Sequence, residues 1–474
     1  MITVIGLDGS ALPPYARDRL DAADLVIGAA RHLDAVPVPR HARRVAAEDV
    51  ADALEAVEAA LAGGGARGPA VPGTEITVAG HTVPGGVLSP AGTVQVSLGR
   101  AARRRRRPAE GASAAIVVLA TGDPGFFGIV RALRDRGHSP EVLPAASVVA
   151  RAFARAGIGW DDAVVVSARG RGFRRAVNVC RAHRKVAVLT GPGAGPAELA
   201  RALAPSTPRT FVVCENLGGP DERVSWPRMG EATTRTWRDP DVVLVLDRAW
   251  QAEVTGPRWI AGPAPGPGEW ALPAGAFDTG GRDEPTAEAR ALILARLGPR
   301  LGDLVWDVGA GSGVIAVECA RLGAAVVAIE RDPAACERIR RNVQAHRVKV
   351  MLTCGHAPAA LEPLPDPDAV FVGGGGPEVV AACAARRPRV VVAALAAEDR
   401  VPPVLHALRE HGYTTEGTLL RTRPLVPPAE PEADPATGRA AGPAADGAAD
   451  AVRRAGPGAA ETALVWGRLP EPPG

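Results

Sequence analysis

The stretch LVWDVGAGSGVIAVE, residues 304–318, constrains the fold of this chain more than any other segment. An apolar run typical of a buried strand ends at Asp307, and three glycines follow at alternate positions from 309 to 313. Apolar residues then recur with helical spacing. Such a turn lets bare backbone and the free N–H groups of a helix approach a ligand closely. Glu330 ends the next apolar run, where a carboxylate can accept ribose hydroxyl protons. This order predicts a nucleoside-binding α/β unit.

The spacing of the glycines separates two classes of nucleoside ligand. A dinucleotide site requires the pattern G-x-G-x-x-G, whereas this turn reads G-x-G-x-G and has Val314 at the position of the last glycine. An acid ahead of the first glycine also suits a positive ligand better than a pyrophosphate. Asp307 therefore favours the cationic methionine end of S-adenosylmethionine.

The chain has 474 residues, enough for two or three domains with separate cores. Short β-branched runs alternate with helical patterns in both halves, which predicts an α/β fold throughout. We expect one domain over residues 1–250, with a Gly- and Pro-rich insertion at about 61–111. A linker at 251–275 and a second domain over 276–470 follow, and the second domain contains a low-complexity loop at about 427–460.

Charge and cysteine usage exclude several partners. The net charge is only +3 and the two signs are mixed, so neither nucleic acid nor a membrane surface is expected as the main partner. No apolar run is long enough to span a bilayer, and the beginning of the chain lacks signal-peptide character. The six cysteines form no CxxC pair and the histidines have no metal-ligand spacing, which predicts a cytoplasmic protein with reduced thiols and no metal site.

The second half resembles a known family in four segments around the glycine turn. FDTGGRDEPTAEARALILARL, DVGAGSG, GHAPAAL and PDAVFVGGGG are similar to the decarboxylating precorrin methyltransferase domain of cobalamin biosynthesis, a class I, Rossmann-like methyltransferase. The resemblance implies contacts with S-adenosylmethionine. The implied positions are Thr286, Asp307, Gly309, Ala310, Gly311, Ser312, Gly313, Glu330, His356 and Ala357. His356 stands where the family usually has Asp, so the adenine contact differs here.

The first half resembles the tetrapyrrole methylase family, whose fold has two α/β lobes. The motifs VIGLDG, LATGDPGFFG, SARGR, LTGPGAGPAELA and CENLGGPDERV occur in the order of that family. The resemblance implies a second S-adenosylmethionine site formed by Gly122, Asp123 and Pro124, with Gly6 and Gly9 bordering the substrate. The family often has SxHGR where this chain reads SARGR, so no histidine role is carried over.

The pairing of the two families implies methylation of an anionic tetrapyrrole at two ring carbons, C5 and C15, with loss of carbon dioxide from an acetate. Arginine forks suit the peripheral carboxylates, and the candidates are Arg171, Arg282 and Arg290. Both families also imply a homo-oligomer. Three alternatives stay open: a cobalt-containing precorrin as substrate, a protein carboxylate or RNA as methyl acceptor, or a corrinoid-binding protein in which one site has decayed.

Overall fold

The computed structural model describes residues 1–63, 76–78, 81–83, 114–238, 240–248, 261–262, 266–281, 284–422 and 460–470. The chain forms two compact units, Met1–Val148 and Val149–Gly474. Most of the predicted insertion and of the low-complexity loop lies outside the described residues, as do 251–260 of the predicted linker. The predicted domain boundary near residue 250 therefore stays a prediction.

The first unit is built on a parallel five-stranded sheet. Its elements are β1 (Ile2–Leu7), α1 (Pro14–Asp21), β2 (Leu25–Gly28), α2 (Ala30–Ala35), β3 (Arg43–Ala46), α3 (Val50–Gly63), β4 (Ile76–Val78), β5 (His81–Val83), β6 (Ile116–Thr121), α4 (Ile129–Asp135) and β7 (Glu141–Leu143). The sheet has the order β3-β2-β6-β1-β7, and β4 pairs with β5 as a separate hairpin. The interior strand β1 is buried along its whole length, as the continuous apolar run ITVIGL requires.

The second unit begins with a mixed five-stranded sheet. Its elements are α5 (Val148–Ala156), β8 (Val164–Ser167), α6 (Phe173–Ala182), β9 (Lys185–Leu189), α7 (Pro196–Leu203), β10 (Thr210–Glu215), β11 (Arg223–Ser225), α8 (Met229–Thr234) and β12 (Pro240–Leu246). The strand order is β11-β10-β12-β9-β8, and only β8 and β9 run parallel.

A seven-stranded sheet follows in the same unit. Its elements are α9 (Ala287–Leu297), β13 (Leu304–Val308), α10 (Val314–Arg321), β14 (Ala325–Glu330), α11 (Pro333–Ala345), β15 (Met351–Cys354), β16 (Ala369–Val372), α12 (Pro377–Ala385), β17 (Val390–Leu395), α13 (Val401–Glu410), β18 (Thr414–Thr422) and β19 (Ala460–Arg468). The order is β15-β14-β13-β16-β17-β19-β18. The first five strands are parallel, whereas β19 runs antiparallel to β17 and β18.

Helices cover both faces of the seven-stranded sheet, and two apolar cores result. One core contains Val305, Phe371 and Ile293, and the other contains Trp306 and Leu408. Alternate residues of one strand enter opposite cores, so nearly every position of β13 must be apolar. In the strand order, β13 is the middle one of the five parallel strands, and the glycine turn follows its carboxyl end.

Polar contacts connect the two sheets of the second unit. Asn178 on α6 donates a hydrogen bond from Nδ2 to the Gly302 carbonyl at 3.1 Å. Arg174 pairs with Asp368, and Lys349 pairs with Asp247. The two sheets on either side of the predicted linker are therefore joined directly by side chains.

Among the described residues, no helix combines the length and the apolar character needed to cross a bilayer. The same residues contain no group of three or more His, Cys, Asp and Glu side chains placed to hold a metal ion.

Candidate active site

A cavity of about 740 Å³ lies at the carboxyl ends of the parallel strands in the seven-stranded sheet. The turns after β13, β14, β15, β16 and β17 form its walls, together with Glu284 and Pro285 ahead of α9. Ligands of open α/β sheets bind at this edge, where successive connections diverge to opposite faces. The glycine turn lies at the centre of the row of strand ends.

Each glycine of the turn has a backbone conformation that favours glycine over other residues. Gly309, Gly311 and Gly313 have φ of +71°, +58° and +81°, a region that disfavours side chains. A Cβ on Gly309 would lie 2.7 Å from the Gly374 nitrogen, and one on Gly311 would lie 2.9 Å from Oε1 of Glu284. A Cβ on Gly313 would contact Ile339 at 3.0 Å. Gly309 is therefore packed against other backbone, whereas Gly311 and Gly313 are packed against the side chains of Glu284 and Ile339.

Asp307 is a residue of β13, just before the glycine turn. Its side chain is fully buried beneath the turn and does not line the cavity. Oδ2 accepts a hydrogen bond from the Ala316 N–H at 2.8 Å, whereas Oδ1 has no hydrogen-bond partner. The structure places the carboxyl where it supports the first turn of α10 from below, since one free helix N–H is satisfied there, and its role toward a positive ligand stays a prediction.

Burial raises the pKa of Asp307 to about 8, although the Ala316 N–H acts in the opposite direction. Negative charge on Glu284 and Glu330 contributes to the rise. Between its ordinary pKa of 3.8 and about 8, the folded protein keeps a proton that the unfolded chain has released. The free energy of unfolding therefore falls as pH rises through this range, by up to about 1.4 kcal/mol per pH unit for one proton.

We expect Asp307→Asn to remove this pH dependence, because the amide oxygen still accepts from Ala316 and carries no titratable proton. Denaturant unfolding of both proteins at pH 5, 6, 7 and 8 should show the variant gaining stability relative to the parent as pH rises. A difference that stays constant over this range would show that Asp307 is already ionised in the fold.

Glu330 ends β14 and lines the cavity, and its contact with a ribose stays a prediction. Oε2 accepts from the Gly311 N–H at 2.8 Å, and Oε1 accepts from the N–H groups of Arg331 and Asp332 at 2.9 Å each. These bonds fix the carboxylate beside the glycine turn. Further lone pairs on each oxygen remain for hydroxyl donors.

Glu284 is a cavity residue that the sequence analysis missed. Its Oε1 accepts from the Ser312 N–H at 2.9 Å, so a carboxylate 28 positions earlier in the chain lies over the glycine turn. The position of Glu284 two residues ahead of Thr286, which begins α9, was the available signal. Glu284 and Glu330 together place two negative charges on the cavity wall.

The other predicted cofactor positions divide between wall and support. Ala310, His356 and Ala357 line the cavity, and Nε2 of His356 lies 3.5 Å from Nη1 of Arg331. Ser312 is fully buried and its Oγ has no hydrogen-bond partner. Thr286 is the N-cap of α9, accepts from the Ala289 N–H at 3.3 Å and does not line the cavity. The side chains of Ser312 and Thr286 are therefore not part of the cavity wall, and both residues support the segments that form it.

Arg290 was predicted to bind substrate, which stays a prediction, and the structure places its side chain in the core. The side chain is only 2% exposed, and its guanidinium donates to the carbonyls of Pro285 and Leu272 and lies over the Phe277 ring. Its position on the inner face of α9 directs it into the core, where it braces the segment that carries Glu284. Arg282 lies outside the described residues. Arg171 is exposed in a 3-10 turn after β8.

The predicted N-terminal positions meet at the end of β1 in the first unit. A Cβ on Gly6 would lie 2.1 Å from the Gly122 carbonyl oxygen and 2.7 Å from the Ala145 nitrogen. Gly122 has φ of +67°, and its N–H donates to the Leu7 carbonyl at 2.6 Å. The two glycines therefore allow three backbone segments to pack together.

Two short turns flank this contact. Asp123 Oδ1 accepts from the Gly125 N–H at 2.8 Å, which holds the turn around Pro124. Gly9 has φ of +81°, in a turn where Ser10 donates to Asp8. A cavity of about 290 Å³ lies beside β1, and Gly6, Asp8 and Ser10 are among its lining residues.

The seven-stranded sheet and its glycine turn define a class I, nucleoside-binding methyltransferase domain. Two family models match this chain, one in each half. Residues 276–424 match the precorrin methyltransferase domain, and residues 5–233 match the tetrapyrrole (corrin/porphyrin) methylases.

The proteins similar to this chain include the following three relatives. A Sinorhizobium protein named precorrin-6Y C(5,15)-methyltransferase [decarboxylating] is 36% identical over 283 residues, which are 56% of this chain and 63% of that protein. A probable cobalt-precorrin-6B C(15)-methyltransferase (decarboxylating) of Methanothermobacter thermautotrophicus is 34% identical over 30% of this chain and 79% of its own length. The cobalt-precorrin-7 C(5)-methyltransferase of Salmonella typhimurium is 36% identical over 28% of this chain and 66% of its own length. The chain belongs to the family of decarboxylating precorrin methyltransferases.

Proposed function

We propose that this chain transfers methyl groups from S-adenosylmethionine to C5 and C15 of precorrin-6Y and removes carbon dioxide from the C12 acetate, which gives precorrin-8. The observation that carries the proposal is the cavity of the second unit. Gly309 and Gly311 line it with bare backbone, and Glu284 and Glu330 provide negative charge on its wall. Family membership and the Sinorhizobium relative support the choice of macrocycle.

The described residues fit the proposed cofactor. Glu330 is held by three backbone N–H groups and offers its remaining lone pairs to ribose hydroxyls. The Glu284 carboxylate lies over the glycine turn, where it favours a positive charge. Ala357 and His356 form the wall at the end of β15, where the family places the adenine. S-adenosylmethionine supplies an electrophilic methyl group.

The protein contributes mainly position to this chemistry. A nucleophilic ring carbon needs alignment with the methyl group and exclusion of water more than a proton acceptor, so the protein's main task is to hold the two reactants in position. Decarboxylation requires that the bond to the departing carboxylate be parallel to the p orbitals of the ring, so that its electrons can enter the π-system. A carboxylate-binding group in the same cavity would achieve this orientation.

The names of the relatives suggest an order for the two steps. The C15 enzyme acts on a compound numbered 6B and the C5 enzyme acts on one numbered 7. We therefore propose that the second unit acts first and that its decarboxylated product is the substrate for C5 methylation. The second cofactor site is proposed at Gly122, Asp123 and Pro124. A homo-oligomeric state and a cytoplasmic location stay predictions from the resemblance.

Mass spectrometry of the macrocycle tests this function directly. Purified full-length protein incubated with precorrin-6Y and S-adenosylmethionine should yield a product with two added methyl groups and one carbon dioxide lost. A parallel reaction with the cobalt-containing macrocycle separates the two substrate classes. Turnover of only the cobalt compound would correct the substrate, and no methyl transfer to either would overturn the proposal.

A further inference from the structure

The main cavity is longer than the nucleoside site alone requires. It extends from Ala357 after β15, across the glycine turn, to Leu395 at the end of β17 and to Pro403 and Val404 of α13. If Glu330 receives the ribose, the adenosine lies over the ends of β14 and β15. The part of the cavity over β16 and β17, here called the distal half, is then left for the methyl acceptor.

Charged side chains line both parts of the cavity, and the distal half contains one acid, Glu378, as well as one arginine. The acids Glu284 and Glu330 flank the glycine turn. Of the two arginines that line the cavity, Arg331 is beside His356 on the adenosine side, whereas Arg400 is in the distal half. The Arg400 side chain is exposed and has no hydrogen-bond or ion-pair partner among the described residues. Its guanidinium is therefore available to a ligand.

The backbone around Arg400 is well anchored. Arg400 ends a 3-10 turn, Glu398–Arg400, and leads directly into α13. Val404 and Leu408 fix that helix in the core, with 2% and 0% of their surfaces exposed. A planar fork with five donors on a fixed backbone suits one carboxylate in a bidentate contact.

We infer that Arg400 binds a peripheral carboxylate of the macrocycle in the distal half of the cavity and so orients the methyl acceptor. The inference rests on the proposed function and replaces Arg290, whose guanidinium is committed to carbonyls in the core. It assigns Arg400 to substrate binding and not to cofactor binding. Steady-state kinetics can distinguish substrate binding from cofactor binding, because each has its own KM.

The test compares Arg400→Ala and Arg400→Lys with Arg409→Ala. Arg409 is on the same helix, outside the cavity, and its side chain donates to Thr415, so its removal changes the net charge equally. Carbon dioxide release from precorrin-6Y is measured, because this step belongs to the second unit alone in the proposed reaction. The KM values for macrocycle and S-adenosylmethionine are determined separately.

We expect Arg400→Ala to raise the KM for the macrocycle roughly tenfold or more, since a charge-assisted bond is lost, and to leave the KM for S-adenosylmethionine within about twofold. Arg400→Lys should recover part of the loss and Arg409→Ala should resemble the parent. An unchanged macrocycle KM in Arg400→Ala, or an equal rise in both KM values, would overturn the assignment. Failure of the parent protein to release carbon dioxide would instead refute the proposed function, and the inference with it.

Discussion

Gly309→Ala should abolish C15 methylation and carbon dioxide release from precorrin-6Y. The new Cβ would lie 2.7 Å from the nitrogen and 2.9 Å from the Cα of Gly374, and backbone atoms cannot rotate away as a side chain can. The left-handed φ of +71° costs about 1–2 kcal/mol in addition. The turns after β13 and β16 must then separate, which changes the centre of the cavity. We expect a fall in kcat/KM of roughly a hundredfold or more, equivalent to about 2.7 kcal/mol.

Gly298→Ala is the matched control for this variant. Gly298 ends α9 with φ of +54°, and a Cβ there would have no atom within 4 Å. The control therefore carries the backbone strain without the collision, and it should cost about 1–2 kcal/mol of stability while carbon dioxide release continues. Near-parental carbon dioxide release by Gly309→Ala would contradict the placement of the cofactor over the glycine turn.

Gly6→Ala should give the reciprocal result, with one methyl group added, carbon dioxide lost and no second methylation. Its Cβ would overlap the Gly122 carbonyl oxygen at 2.1 Å and the Ala145 nitrogen at 2.7 Å. The end of β1 would have to move away from the turn that contains Asp123 and Pro124. The loss of C5 methylation should again be roughly a hundredfold or more, because a small misplacement of a bound methyl donor has a large effect on rate.

Gly137→Ala provides the control in the same unit, since Gly137 has φ of +81° and open space around its Cβ position. Mixing Gly6→Ala with Gly309→Ala should restore the fully methylated product, because the first variant supplies the decarboxylated intermediate that the second can still methylate at C5. Restoration would also show that the intact domain of each variant is folded. If the mixture produces only the singly methylated compound, the proposed order of steps or the N-terminal site is wrong.

Local sequence patterns were sufficient to predict most strands. The continuous apolar runs at β1, β9 and β13 specify strands buried on both faces, and the structure confirms them. The strands without such a run have mixed polarity. The clearest example is β18, TTEGTLLRT, which lies at the edge of the seven-stranded sheet and is largely exposed. An edge strand needs no apolar pattern, because one side of its backbone and most of its side chains face solvent.

The parts of the candidate site that are formed by residues close together in the sequence could be predicted. The glycines of the turn and Glu330 follow from the order of strand, turn and strand, and they line the cavity or shape it. Glu284 was missed because an acid before a helix is a common feature with no specific meaning. Its contact with Ser312 also joins residues that are far apart in sequence. Arg282, Arg290 and Arg171 were chosen by residue type alone, which does not tell a buried guanidinium from an exposed one.

The sequence by itself determined the α/β elements, their alternation and the glycine turn, since these depend on periodicity and on backbone freedom within a few residues. The tertiary structure decided which polar groups face the cavity. Asp307 lies beneath the turn because α10 packs over it, Arg290 is enclosed because α9 turns its inner face to the sheet, and Arg400 reaches the distal half because α13 is anchored by Val404. Each outcome depends on contacts between distant segments, which local patterns do not encode.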